Sequence, residues 1–371
     1  MLKRYKLKNY HFQLILYVSL LTIIGIMLIG SAQPSVQNKQ IFGFALGFVI
    51  MIIVSLIDYS FLLKFPWLYY AAMIVLLVMV QLGGKTVGGA KRWIIIAGIQ
   101  FQPSELAKLA IIVFFAYFFM KYQENLNTVR ILFSSFVLVG IPLILILKQP
   151  DLSTTIVTAI IFVVLLFIAG LSYKIIVPVL AITIPSVILL LTYVIQLAQS
   201  TDADVPYQLD RILAWLYPTD PRFSELATQQ QNAIMAIGSG QLWGKGLNNS
   251  IAASLKNANY IIEPQTDFIF AVAGEELGFV GCAIIIVLLL LIVIDCIYIA
   301  SRAKDLAGRL ICCGMAALVG FQSFVNICVN TGLMPNTGIP LPFVSYGLTS
   351  IVSIFIGMGF VLNVGLQAKK Y

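Results

Sequence analysis

Asp267 stands where the longest polar stretch of this 371-residue chain gives way to an apolar run, within Glu263-Pro264-Gln265-Thr266-Asp267-Phe268-Ile269-Phe270. A carboxylate at a boundary between water and lipid can take a proton from a hydroxyl of a substrate with a polar head and a greasy tail. It can equally cap the helix that follows, and spacing alone does not separate the two roles. At a first helical turn, the helix dipole would favour its ionised form. Glu275 and Glu276 follow eight and nine residues later, about 12–13 Å further along a helix. That is too far to pair with Asp267 as a two-carboxylate hydrolase requires.

Other polar constellations surround this one. Glu105 and Lys108, in Gln102-Pro103-Ser104-Glu105-Leu106-Ala107-Lys108, share one face of a helix that Pro103 and Ser104 can start. Ionisable groups within an apolar span face a partner or a cavity. The two are therefore either a mutually satisfied ion pair or, with Arg92, a cationic contact for an anion such as a diphosphate leaving group. Lys148-Gln149-Pro150-Asp151-Leu152 is ordinary turn chemistry, with Asp151 able to cap the next helix. Gln322, Asn326 and Asn330 are four apart and share a helix face that must point into the bundle, as interhelical glue or as a groove for substrate. Gly238, Gly240, Gly244 and Gly246 make a glycine-rich segment without P-loop spacing, read as a structural turn before a ligand contact. Thr337 to Gly347, with Pro340 and Pro342, reads as a rigid lip over a cavity.

The elements that position these groups are membrane helices. Hydrophobic residues make up 60% of the chain and charged residues 10%, the composition of a polytopic membrane protein. We expect an all-α protein, one membrane domain over residues 1–371, with ten spans: Phe12–Gly30, Ile41–Ile57, Trp67–Leu82, Ser104–Met120, Ile131–Ile146, Thr154–Ala169, Ile175–Leu197, Phe268–Ala300, Arg309–Val329 and Ser345–Leu362. The first run is too long for most signal peptides and is kept as a helix. With both termini cytoplasmic, thirteen Lys and Arg fall on inner segments and only Lys39, Lys85, Lys91, Arg92 and Lys148 on short outer loops. The loop of residues 198–266, between the seventh and eighth spans, is then extracytoplasmic. The net charge of +8 serves topology and gives no reason to expect nucleic acid. The eighth span, some 33 residues or about 50 Å long, outruns a hydrocarbon core of about 30 Å, which puts Asp267 at the headgroups. His11 is the sole histidine and lies in the basic N-terminal segment, leaving little room for histidine or metal chemistry at the outer face. All five cysteines lie in apolar segments, so no disulfide framework is expected.

The segments containing Glu105 and Lys108, Gln149 to Thr154, Ala236 to Gly246, Gln265 to Gly281 and Thr337 to Gly347, in this order, resemble the SEDS family of bacterial peptidoglycan polymerases over essentially the whole chain. The resemblance is closer to elongation-type (RodA) than to division-type (FtsW) members. It implies an inverting glycosyltransferase of the bacterial plasma membrane, acting at the extracytoplasmic side on lipid II and releasing undecaprenyl diphosphate, in cell-wall elongation. By that resemblance Asp267 is the general base or an orienting carboxylate. Arg92, Glu105, Lys108 and the loop arginine Arg211 contact the substrate. A divalent cation, Mg or Mn, assists or is dispensable, and the partner is a class B penicillin-binding protein, a transpeptidase. Ser153 and Leu348-Thr349 depart from the family's small residues near the outer face. A lipid II flippase is the competing activity; it would want charge spread through the membrane and paired broken helices.

Overall fold

The computed structural model describes residues 10–87, 90–96, 99–178, 207–248 and 263–367, with scattered positions between 178 and 207. Its helices are α1 (Phe12–Ala32), α2 (Pro34–Leu56), the single turn α3 (Tyr59–Leu62), α4 (Pro66–Gly83), α5 (Pro103–Lys121), α6 (Val129–Leu147), α7 (Leu152–Ala169), α8 (Tyr207–Leu216), α9 (Ser224–Ser239), α10 (Ile269–Ser301), α11 (Leu306–Asn330) and α12 (Leu348–Leu366). Among the described residues nine are long and apolar enough to cross a membrane. The expected span Ile175–Leu197 lies largely outside the described residues.

Burial sorts the spans into a centre and a ring. Three quarters of the α5 window is buried, 78%, against 28% for α4 and α6. α5, α11 and α12 therefore form the core, against which α7, α10 and α2 pack. The ring turns Leu16, Phe42, Val49, Phe133 and Ile294 outward. Large side chains exposed all round a bundle belong against lipid, where every backbone group is satisfied inside its own helix. Aromatic rings fill the centre: Phe115 meets Phe162 at 4.8 Å and Tyr70 meets Phe114 at 4.5 Å between centroids.

Two features correct the sequence expectation. The chain is not wholly helical: β1 (Lys85–Val87), β2 (Ala90–Ile96) and β3 (Ile99–Phe101) form an antiparallel meander, with Lys85 opposite Trp93 and Ile94 opposite Phe101. The β-branched run Ile94-Ile95-Ile96 suits a pleated strand better than a helix.

The second correction concerns α10, which is not one continuous rod. It breaks at Gly278, whose φ of 64° and ψ of −163° leave the helical region. The break frees backbone groups that the loop after α9 takes up. Phe279 and Val280 donate to the carbonyls of Gln241 and Leu242 at 2.9 and 3.2 Å. Lys245 and Gly246 donate to the carbonyls of Glu275 and Glu276 at 2.9 and 3.0 Å. The glycine-rich loop is thus committed to satisfying a broken helix, as irregular backbone within a membrane protein must be. The lower segment alone, about 23 residues or 34 Å, already matches a hydrocarbon core of about 30 Å. The 33-residue length therefore does not by itself set the height of Asp267.

A side chain at Gly278 would be strained at this φ, and its Cβ would sit 2.7 Å from the Leu242 carbonyl oxygen. Gly278→Ala is expected to destabilise the protein by roughly 2–3 kcal/mol, seen as a lower melting temperature in detergent. Gly320→Ala is the control, since nothing lies within 3.6 Å of the added methyl except Val293 at that distance. An unaffected Gly278→Ala would show that the break does not need glycine.

Candidate active site

The site lies at the end of the bundle that carries the meander, α8 and α9, and the segment between α11 and α12. Asp267 is half-buried and directly precedes the N-cap Phe268. Its side chain does not cap α10. The amide of Ala271 in the first turn is instead bound at 3.1 Å by the Asn330 side-chain oxygen, which reaches across from α11. Burial pushes the Asp267 carboxyl up to about 6, and the nearby Glu263 and Asp151 carboxylates add to the rise, while Arg211 and Arg92 oppose it. The shift runs against the expectation that the helix start favours the ionised form: desolvation outweighs the dipole, and one first-turn N–H, that of Ala271, is already taken by Asn330.

Arg211 reaches Asp267 from α8. Gly338 lies between them, and a Cβ built on it would fall 3.2 Å from an Arg211 terminal nitrogen and 3.3 Å from Asp267 Oδ2. A side chain there would push one of the two aside by a few tenths of an ångström, and the φ of 69° independently favours glycine. Arg211 also donates to the Asn336 carbonyl at 3.3 Å, so a carboxylate, a guanidinium and the lip share one corner.

The other residues implied by the family resemblance are placed differently. Lys108 donates to Glu105 at 2.8 Å and to the Gln322 side-chain oxygen at 2.9 Å. Both ions are buried, 2% and 3% exposed. Glu105 Oε2 has no partner among the described residues. Arg92 turns to the α6–α7 corner, donating to the carbonyls of Gln149 and Pro150 and lying 3.9 Å from Asp151. Asp151 caps α7 through the Thr154 amide at 3.1 Å and accepts from Gln102. The side chains of Lys85 and Lys91 lie outside the described residues. Deeper in α10, Glu275 binds Lys245 at 2.7 Å and Glu276 accepts from Ser31. Both carboxylates serve the helix break rather than Asp267.

Several residues that hold the site went unnoticed in the sequence. Ser345 donates to the Thr266 carbonyl at 2.6 Å and accepts from the Leu341 amide at 2.7 Å. Gln40, fully buried in α2, donates to the Ser345 carbonyl and accepts from Gly347. Gln40 closes the polar run Gln37-Asn38-Lys39-Gln40, just before the expected span Ile41–Ile57, so no local signal marked it. Both departures from the family pattern make cross-links. Ser153 donates to the Thr337 carbonyl, and Thr349 joins the Gln100 carbonyl and Gln102 amide to α12 at 3.2 and 3.4 Å.

Against the loop that leads into Asp267 opens a groove of about 710 Å³ lined by Lys39, Phe42, Trp93, Glu263, Thr266 and Tyr346; Asp267 and Arg211 do not themselves line it. A second, apolar cavity of about 280 Å³ runs between α4, α5 and α12, past Tyr69, Leu106, Val113 and Phe360. A groove that mixes charged and aromatic side chains next to the Asp267 loop, together with apolar space along the helices, suits an amphiphile. No group of three His, Cys, Asp or Glu side chains among the described residues could hold a metal ion.

The comparisons with known proteins agree with this architecture. The family model described as cell cycle protein FtsW/RodA/SpoVE matches residues 2–370. A probable peptidoglycan glycosyltransferase FtsW of Geobacter sulfurreducens is 32% identical, covering 98% of this chain and 97% of its own length. The peptidoglycan glycosyltransferase MrdB of Escherichia coli K12 is 33% identical, covering 90% and 86%. Among solved structures, a chain in a study of the structural coordination of polymerization and crosslinking by a peptidoglycan synthase complex superposes with a TM-score of 0.77 at 27% identity, covering 96% and 97%. The rod shape determining protein RodA of Thermus thermophilus gives 0.69 at 26%, covering 98% of each chain. Division-type and elongation-type relatives match about equally well, so identity does not separate the two. The chain is a multi-pass membrane protein and belongs to the FtsW/RodA/SpoVE family.

Proposed function

We propose that the protein is a peptidoglycan polymerase, an inverting glycosyltransferase that joins lipid II units at the extracytoplasmic face of the membrane. The observation that carries this is the corner where Asp267 and Arg211 meet across Gly338, beside a groove able to take a sugar head and next to lipid-facing helices. Asp267 takes the proton of the acceptor 4-hydroxyl. That oxygen attacks the donor's anomeric carbon from the face opposite the diphosphate, the C–O bond to the diphosphate breaks, and undecaprenyl diphosphate departs. Arg211 is the cation best placed to offset charge growing on that leaving group. Arg92, occupied by the α6–α7 carbonyls, is better suited to shaping the rim. The carboxylates and guanidinia around Asp267 do not make a cage for a resident metal, so no step is routed through one. A divalent cation is proposed only as it would arrive, on the diphosphate of the substrate.

The partner we propose is a class B penicillin-binding protein, a transpeptidase, and the role is wall elongation; similarity to a chain of a peptidoglycan synthase complex supports the partner. The test supplies lipid II to the purified protein and its cognate transpeptidase. Glycan polymer and free undecaprenyl diphosphate are expected from wild type and neither from Asp267→Ala. Undiminished polymer from the variant would sink the catalytic assignment.

One observation favours a lipid II flippase: the break in α10 with two buried carboxylates, a feature of transporters. Yet Lys245 and Ser31 hold those carboxylates, and the loop that caps the break closes it. Lipid II crossing liposomes without polymer formation would favour that reading.

A further inference from the structure

Three buried amides on α11 hold the loops of the site, and two of them also reach neighbouring helices, Asn330 to the Ala271 amide of α10 and Gln322 to Lys108 of α5. The Asp267 carbonyl accepts from Asn326 Nδ2 at 2.8 Å and from Asn330 Nδ2 at 3.0 Å. Asn326 Nδ2 also donates to the Ile339 carbonyl at 2.7 Å, and Gln322 Nε2 to the Pro340 carbonyl at 2.9 Å. Gln322 is itself fixed by Lys108. These side chains are 0–1% exposed, and the Asn326 bond to the Ile339 carbonyl is wholly buried, while the bonds to the Asp267 and Pro340 carbonyls lie at the partly buried edge of the site. Interhelical glue would join α11 to other helices and nothing else. Here four of the bonds end on backbone carbonyls of the two loops that carry Asp267 and Gly338. The Asp267 carbonyl is held from α11, because the Ala271 amide that would reach back to it along α10 is bound to Asn330 and to the Phe268 carbonyl.

We infer that Asn326 and Asn330, bonded to each other and on the same helix face as Gln322, are positioning residues that set where the Asp267 carboxylate stands relative to Arg211. They touch no substrate; they act through the peptide of the base and the lip beside it. The inference deepens the polymerase reading and rests on Asp267 being its base. A displacement of about 1 Å at a reacting group can cost about 10²-fold in rate while leaving binding largely alone.

The experiment uses the full chain with its cognate transpeptidase and lipid II, comparing wild type with Asn326→Ala and Asn330→Ala. Each variant is expected to lose about 10–100-fold in kcat, with KM for lipid II within about threefold. The acid limb of the kcat profile is expected to move to lower pH, because a loosened segment admits water to a carboxyl that burial had raised. The groups facing Asp267 are Arg211 from α8, Arg92 from β2, Asp151 from the α6–α7 corner and Glu263 in its own loop. None of these is altered, so a moved limb reports the placement of the base. Amide exchange across residues 268–272 should quicken about tenfold or more in Asn330→Ala as the loop opens locally. A raised KM with intact kcat would mean the amides line a substrate groove. A loss confined to the active fraction, with an unmoved acid limb, would mean simple glue. Either result overturns the inference. Wild-type protein that makes no polymer overturns the polymerase reading instead, and the exchange measurement, which needs no substrate, still decides whether Asn330 holds the Asp267 segment.

Discussion

Asp267→Asn is expected to abolish polymerisation and at the same time to raise the melting temperature of the protein at neutral pH. The loss should be about 10²–10⁴-fold, the range supplied by a general base. The gain follows from the sign of the shift. Burial lifts the Asp267 carboxyl from 3.8 to about 6 in the folded protein. A folded value above the unfolded one means that the folded state holds the proton more tightly. The carboxyl then costs nothing below the unfolded value, costs more as pH rises from there, and imposes its full penalty above about 6. Asparagine removes the charge and with it the penalty. The variant should melt higher than wild type at pH 7.5, and the gap should narrow as the pH falls towards 4. Wild-type activity should rise with pH through about 6, as the base loses its proton. Thermal unfolding in detergent and the pH profile of kcat check both parts. An asparagine variant that melts lower at pH 7.5 would show that Asp267 stabilises the fold and is not held at its expense.

Much of the site was legible in the chain because its signals are local. Asp267 precedes an apolar run, Glu105 and Lys108 are three apart, and Gln322, Asn326 and Asn330 recur every four residues. A helix of period 3.6 converts such spacings into faces. The partners of those faces were not legible, because they come from distant parts of the chain. Nothing near Arg92 says that it will bind the carbonyls of Gln149 and Pro150. Glu275 and Glu276 stand just before Gly278, but nothing local announces a break there, since the groups that satisfy it belong to the loop after α9. The raised carboxyl of Asp267 was missed for the same reason. A rule about helix starts assumes free N–H groups, and Asn330 on another helix had already taken one. The strands, by contrast, had a local signal. Three consecutive isoleucines between Gly88-Gly89 and Ala97-Gly98 satisfy the hairpin pattern.

Lys108→Met should be among the most damaging single substitutions in the chain, and much of the damage should be undone by adding Glu105→Gln. Removing the lysine leaves Glu105 charged, 3% exposed and without its partner, a loss of about 3–5 kcal/mol in buried pairs. The pair is also imperfectly satisfied, since Glu105 Oε2 finds no partner among the described residues. Replacing both ions by neutral groups of similar size should therefore return stability to within about 1 kcal/mol of wild type. The double variant then separates two roles for this pair. If Lys108 contacts the diphosphate, as the family resemblance implies, KM for lipid II should rise steeply in a protein that folds well. If it acts through Gln322 on the Pro340 carbonyl, KM should stay close to wild type while kcat falls. We expect the second outcome, because Lys108 is 2% exposed, gives two of its three donors to Glu105 and Gln322, and does not line the groove. Unfolding measurements on the two single variants and the double variant, with lipid II kinetics on the double, complete the cycle.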